Sequence, residues 1–250
     1  MKYMGSKARF AKDILPIVLK GRERDTYYIE PFVGGGNLIC NVTGNRIAND
    51  IHPYLIAMWV ALIGGWVPDK ITKEYYEEVR ANKGSYPPHI VGWVGFNCSY
   101  SGKYFGGYAG DTKTKFGTIR DYQSEAIRNV LRQVEGMRGI VFKNEPYFRL
   151  QLPPRSIVYC DPPYEGTTQY ANEFDHQLFW AWVREVSKEH KVYVSEYNAP
   201  EDFKCIWSTS AKSSLSANGS TGGSKESIER LFVHQDSTPF SCDSTKLTLF

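Results

Sequence analysis

The sequence lacks the spacings that build metal and redox sites. Its five cysteines, Cys40, Cys98, Cys160, Cys205 and Cys242, are odd in number, widely spread and form no C-x-x-C pair, and the histidines show no H-x-x-x-H spacing. Reduced thiols in an intracellular, cytoplasmic protein are expected, with no metal site. Long apolar runs are missing too. The most apolar stretch, YLIAMWVALIGGWV, is too short for a membrane span and lies internally, so neither a signal peptide nor a membrane partner is expected. There is no internal repeat and no strong charge of one sign, the formal net charge being +3. That charge is unevenly placed. Residues 1–24 carry Lys2, Lys7, Arg9, Lys12, Lys20, Arg22 and Arg24 against Asp13 and Glu23, a pattern that fits a polyanionic partner or a solvated basic face.

What is present is ordinary globular material. With 250 residues, 42% hydrophobic and 23% charged, the chain can bury one large core or a core interrupted by an insertion. Ser6 can cap a helix whose apolar positions Phe10, Ile14, Ile17 and Val18 recur at helical spacing, with Pro16 bending or shortening it. TYYIEPF (26–32) reads as a strand that runs straight into Gly34, Gly35 and Gly36. RIAND (46–50) reads as a second strand ending in Asp50, with a helix from Pro53 to about Leu62. Two strands with glycines and a helix between them describe a parallel α/β unit.

From residue 66 to 136 tyrosines, glycines and the Pro87-Pro88 pair replace that alternation, which marks an insertion into a domain made of 1–65 and 137–250. Strands resume at 139–144 and 156–161. A helix follows from about Glu173 to His190, with Leu178, Phe179, Trp182 and Val183 on one face, and then the strand KVYVSEY. CIWSTS and ERLFVH read as late strands. The Ser/Gly-rich segment between them, around Asn218, reads as a mobile loop. The fold class is α/β, with a mostly parallel sheet, helices on both faces and an inserted subdomain.

Two constellations bear on chemistry. In EPFVGGGN the missing side chains let a ligand approach the main chain and the start of a helix. Ile39 stands where a dinucleotide fingerprint needs its third glycine, so the pattern fits a nucleotide-like cofactor or a purely structural turn. Asp50, at the tip of the next strand, suits ribose hydroxyls, and equally the capping of the helix at Pro53.

The second is SIVYCDPPY. A strand ending in Asp161 delivers a carboxylate to a sheet edge. Pro162 and Pro163 remove two backbone donors, leaving the Asp161 carboxylate and the Pro162 carbonyl as convergent acceptors for an NH₂ group. Tyr164 adds a flat face for a planar base. A merely stiff turn is the plain alternative.

In this order, with KYMGSK at the N-terminus, NDIHP after the glycines, FNCSYSGKYFGGYAG in the insertion and SSLSANGSTGGSKESIERLFV late in the chain, the sequence resembles the Dam-type DNA adenine methyltransferases. The resemblance implies a Rossmann-like methyltransferase fold, S-adenosylmethionine as cofactor and double-stranded DNA as partner, in a prokaryotic or phage protein. Carried over by residue, it implies that Tyr3 and Lys7 contact the cofactor, that Phe32, Gly34 and Gly36 surround its methionine part, and that Asp50 takes the ribose. Tyr147 falls beside the cofactor adenine, and Asp161 to Tyr164 at a flipped adenine, with Asp161 also on the cofactor's edge. Asn97 and Gly102 match the family's recognition segment, while KYFGGYAG departs from it. Within that segment Tyr100, Lys103, Tyr104, Lys113 and Lys115, with Asn97, are the candidate DNA contacts, beside Phe105, Tyr108, Phe116 and Arg120.

Rival readings stay open at this level: an amino-methyltransferase acting on cytosine or on RNA adenine, a catalytically silent DNA-binding relative, and a nicotinamide dehydrogenase. Asp161, where many cytosine-amino enzymes carry serine, favours adenine. The missing glycine speaks against the dehydrogenase.

Overall fold

The computed structural model describes residues 1–114, 116–165, 174–212 and 226–237. The chain divides into two compact units, Met1–Gln151 and Leu152–Phe250.

The first unit contains strands β1 (Tyr28–Glu30) and β2 (Arg46–Asn49), a hairpin of β3 (Asp111–Lys113) and β4 (Ile119–Asp121), and β5 (Val141–Lys143). β1 and β2 are buried throughout, and β2 pairs in parallel with both β1 and β5, with Tyr28 opposite Arg46 and Ile47 opposite Val141. The connection from β1 to β2 is shorter than the sequence implies. In place of a full helix it makes one 3-10 turn, Ile39–Asn41, before Val42 becomes extended. Two β-branched residues and Gly44 follow within a few positions, and they give a helix no room to propagate.

Around these strands pack α1 (Ala11–Val18), α2 (Pro53–Ile63), α3 (Lys73–Ala81), α4 (Pro88–Gly92) and α5 (Tyr122–Met137). Pro16 lies inside α1, whose Ile14 and Val18 are buried, and the Ser6 hydroxyl accepts the Ala8 N–H at 3.2 Å just ahead of it. α2 starts with Pro53 in its first turn, where a missing N–H costs nothing, and buries Leu55, Ile56, Met58, Trp59 and Leu62. α5 is capped by the Asp121 carboxylate, which accepts the Ser124 N–H at 2.9 Å. At its other end Arg46 donates to the carbonyls of Gly136 (2.5 Å) and Arg138 (2.6 Å), a cation placed on the negative end of the helix. A Cβ at Gly136 would lie 2.1 Å from the Cys40 carbonyl oxygen, so only glycine lets α5 lie directly on the β1–β2 connection.

In the second unit β6 (Ile157–Cys160) pairs in parallel with β7 (Lys191–Glu196), the crossover carrying α6 (His176–Val186). The strands β8 (Phe203–Lys212) and β9 (Glu226–His234) complete the order β6-β7-β9-β8 by antiparallel pairing, with a bulge between Cys205 and Trp207. α6 is shorter than the expected 173–190, because Asp175 caps it by accepting the Leu178 N–H at 2.8 Å. Its buried face is Phe179, Trp180 and Val183, while Leu178 is left 47% exposed. The pairings β1–β2, β2–β5 and β6–β7 are parallel and the last two are antiparallel, so the chain is an α/β protein with mostly parallel sheet structure. Among the described residues no helix is long and apolar enough to cross a membrane, and no group of His, Cys, Asp and Glu is placed to hold a metal ion. The Ser/Gly-rich segment around Asn218 and Cys242 lie outside the described residues.

Candidate functional site

In the first unit the glycine turn and the tip of β2 are tied into one structure. Gly34 and Gly36 adopt φ of +48° and +61°, a conformation that other residues take only under strain. The Gly34 N–H donates to Asp50 Oδ2 at 3.0 Å, and the His52 N–H donates to Asp50 Oδ1 at 2.9 Å. One carboxylate therefore fixes the turn after β1 and the entry to α2. Asp50 is buried, and burial pushes its pKa up to about 6 against the pull of those two N–H groups. Asn49 does similar work one residue earlier: its amide donates to the carbonyls of Pro31 (3.0 Å) and Glu145 (2.9 Å) and its oxygen accepts the Glu145 N–H at 3.0 Å.

Of the other expected cofactor residues of this unit, Tyr3 lies against the same turn. A Cβ on Gly34 would lie 2.7 Å from the Tyr3 ring, so the ring rests on bare backbone. Trp59 Nε1 donates to the Gly34 carbonyl at 3.3 Å, and the Gln133 amide to the Gly35 carbonyl at 2.7 Å. The rings of Phe32 and Tyr147 stand 5.2 Å apart. Lys7 is buried, and its ammonium donates to the Gly5 carbonyl at 3.1 Å. The set combines a buried acceptor, aromatic walls, a cation and close-approach backbone. Groups of these kinds can meet a ligand that joins a planar ring to a charged tail.

The second unit presents the D-P-P-Y turn at the end of β6. Pro162 is buried; neither it nor Pro163 has an N–H, so the turn offers oxygen acceptors. Tyr164 is held at its tip, its hydroxyl donating to Glu229 Oε2 at 2.9 Å and its ring meeting the Tyr197 ring edge-on, with centroids 4.6 Å apart. Glu196, at the end of β7, accepts the Tyr197 N–H at 2.7 Å and the Glu165 N–H at 3.3 Å. Burial, followed by the negative charges of Asp161 and Glu165, pushes its pKa up to about 7. The Tyr164 phenol is pushed well above its usual range by burial first and then by Asp161 and Glu229, so it remains a neutral donor.

Glu196 and Glu229 escaped the sequence reading. Glu196 had a visible signal, a carboxylate ending a strand in the same way as Asp161. Glu229 had none, since it reaches Tyr164 from 65 residues away.

The six residues expected to meet DNA are placed unevenly. Tyr100, Lys103 and Lys113 are exposed, the Tyr100 ring standing 5.9 Å from that of Tyr122. Phe116, near the hairpin tip, is 93% exposed and Ile119 73%. Arg120 pairs with Glu125 at 2.7 and 2.9 Å. Asn97 and Tyr104 point into the interior of the first unit. The Asn97 amide faces the Met58 sulfur at 3.2 Å, and the Tyr104 ring packs 4.4 Å from His52 with its hydroxyl sealed from solvent. Aromatic packing with Phe96 and His52 surrounds the Tyr104 ring. Lys115 lies outside the described residues.

Residues 3–88 match the family model of the D12 class N6 adenine-specific DNA methyltransferases, a span that takes in Tyr3, Lys7, the glycine turn and Asp50. The match bears out the resemblance read from the sequence. A comparison with curated proteins finds no match. Among solved structures the chain is similar to SMU.472, assigned as a methyltransferase and crystallised with SAH, at 12% identity, with a TM-score of 0.37, over 93% of this chain. The chain spans 54% of the length of that protein.

Proposed function

We propose that this chain, D12-class by the match over residues 3–88, is a site-specific DNA adenine methyltransferase that transfers a methyl group to the exocyclic amine of adenine. The observation that carries this reading is the acceptor turn at Asp161 and Pro162, backed by the fixed ring of Tyr164, in a chain whose other turn, at Gly34 and Asp50, ties close-approach backbone to a buried acceptor. When bound, S-adenosylmethionine supplies an electrophilic methyl group on a sulfonium leaving group. Asp50, the Gly34–Gly36 backbone, Tyr3, Lys7, Phe32 and Tyr147 are the residues that would hold it.

An adenine amino group is a weak nucleophile because its lone pair is delocalised into the ring. Accepting its two N–H bonds on the Asp161 carboxylate and the Pro162 carbonyl favours a pyramidal nitrogen with the lone pair directed outward. Stacking on Tyr164 fixes the plane of the base. Orientation of this kind is worth roughly 7–11 kcal/mol against an unpositioned encounter, so the residues are asked to position rather than to act as strong bases. A stacked base cannot reach such a turn, so the target is extruded from the duplex at a cost of a few kcal/mol. The exposed Lys103, Lys113 and Tyr100 supply cations for phosphates and an aromatic face for exposed bases.

Asp161→Ala tests the assignment. Methyl transfer should fall by at least about a thousandfold, while duplex binding, measured by fluorescence anisotropy, largely survives. Retained turnover would contradict the role given to Asp161.

A further inference from the structure

We propose that Glu229, on β9, is a positioning residue for the reaction: it holds the Tyr164 ring at the angle that receives the extruded base. This rests on the methyltransferase reading above and goes beyond it, since that reading gives Glu229 no role although it lies in the late segment SSLSANGSTGGSKESIERLFV.

Tyr164 stands at the end of a turn whose two prolines cannot donate backbone hydrogen bonds. Contacts from the adjoining strands reach it. Glu229 Oε2 accepts the Tyr164 hydroxyl at 2.9 Å, the Tyr197 ring meets the Tyr164 ring at 84°, and Glu196 Oε2 accepts the N–H of Glu165, the next residue, at 3.3 Å. Two of these come from the end of β7 and its first following residue, the third from β9, which pairs with β7 so that Glu196 lies opposite Arg230. Arg230 in turn donates to the Tyr197 carbonyl, which fixes the ring that backs Tyr164.

Glu229 is only 8% exposed. Burying a carboxylate is expensive unless its acceptor capacity is used, and a neutral phenol donating to it makes a charge-assisted bond. A tyrosine anchored only by ring packing could still swing about its χ1 and χ2 axes. One anchored at its hydroxyl keeps its face fixed before the base arrives. The energy of ordering the ring is thereby met in folding and not in each catalytic cycle.

The test is single-turnover methyl transfer to duplex DNA at saturating cofactor, with cofactor and duplex affinities measured alongside. Glu229→Ala should slow transfer roughly tenfold and leave both affinities within about twofold. Tyr164→Phe keeps the ring, removes the same bond and should slow transfer to a similar extent. The double variant should be no slower than the slower single one, because one contact cannot be lost twice. Glu229→Gln, whose amide oxygen still accepts the phenol proton, should recover most of the rate. Wild-type rates in Glu229→Ala or in Tyr164→Phe, multiplying losses in the double variant, or a Gln variant as slow as Ala would overturn the proposal. Should Glu229→Ala fail to fold, Tyr164→Phe decides alone, since it removes a single oxygen. A wild-type protein that leaves no methyl group on adenine is a separate outcome, and it would overturn the reading of function itself.

Discussion

The two turns at the heart of this protein are built from opposite residues. The turn after β1 uses glycines: backbone comes close, N–H groups are available, and a buried carboxylate 16 residues on, Asp50, accepts one of them at 3.0 Å. The turn after β6 uses prolines, which withhold N–H groups and leave the backbone there with oxygen acceptors alone. Each turn is steadied by a buried acid whose pKa burial has raised, Asp50 to about 6 and Glu196 to about 7. The difference lies in how the acid is connected. Asp50 directly follows the strand paired with β1, whereas Glu196 and Glu229 arrive at their turn from later strands. One turn presents backbone donors and the other only acceptors, which is the chemical contrast the proposed function draws on.

That contrast can be broken at either end. After Asp161→Ala, the largest effect is expected at the glycine turn. Gly34→Ala forces a side chain into φ of +48° with its Cβ 2.7 Å from the Tyr3 ring. It should destabilise the fold by about 1–3 kcal/mol and weaken S-adenosylmethionine binding at least tenfold by calorimetry; unchanged affinity would remove this turn from the cofactor site. A smaller effect is expected on the hairpin, which should serve neither turn. Lys113→Ala should weaken duplex binding severalfold and lower the slope of log affinity against log salt by about 1, leaving cofactor binding intact. An unchanged slope would take Lys113 off the DNA.

A pH-dependent effect concerns the acid behind the proline turn. The folded-state pKa of Glu196, about 7, lies above its ordinary 4.5. The folded chain therefore holds this proton more tightly than the unfolded one. The stability it contributes is complete below pH 4.5 and is lost as pH rises through 7, on the order of 2 kcal/mol by pH 8. Glu196→Gln cannot ionise. Between pH 5 and pH 8, urea melts of the wild type should lose more stability than those of the variant, and parallel losses would contradict the dry setting given to Glu196.

Much of this architecture was legible in the sequence because it is local. Strands such as IVYC declare themselves by apolar β-branched runs, Pro53 marks a helix start, and a strand that ends in Asp-Pro-Pro-Tyr cannot continue a ladder. The strand–glycine–strand pattern implies a helix after the glycines; the structure makes a 3-10 turn at Ile39–Asn41, with α5 lying on the backbone at Cys40. Asn97 and Tyr104 look like surface readers of DNA in a segment rich in polar and aromatic groups. Their inward turn depends on contacts with Met58, His52 and Phe96, which no local pattern announces. Glu229 was invisible for the same reason, its partner being settled by strand pairing rather than by sequence neighbourhood.

The most direct test supplies methyl-labelled S-adenosylmethionine with duplex DNA, single-stranded DNA and RNA oligonucleotides in parallel, then digests each product to nucleosides. Label should appear in N6-methyladenine from the duplex. Label confined to cytosine or to RNA, or no label in any nucleoside, would contradict the assignment of the acceptor turn to adenine in DNA.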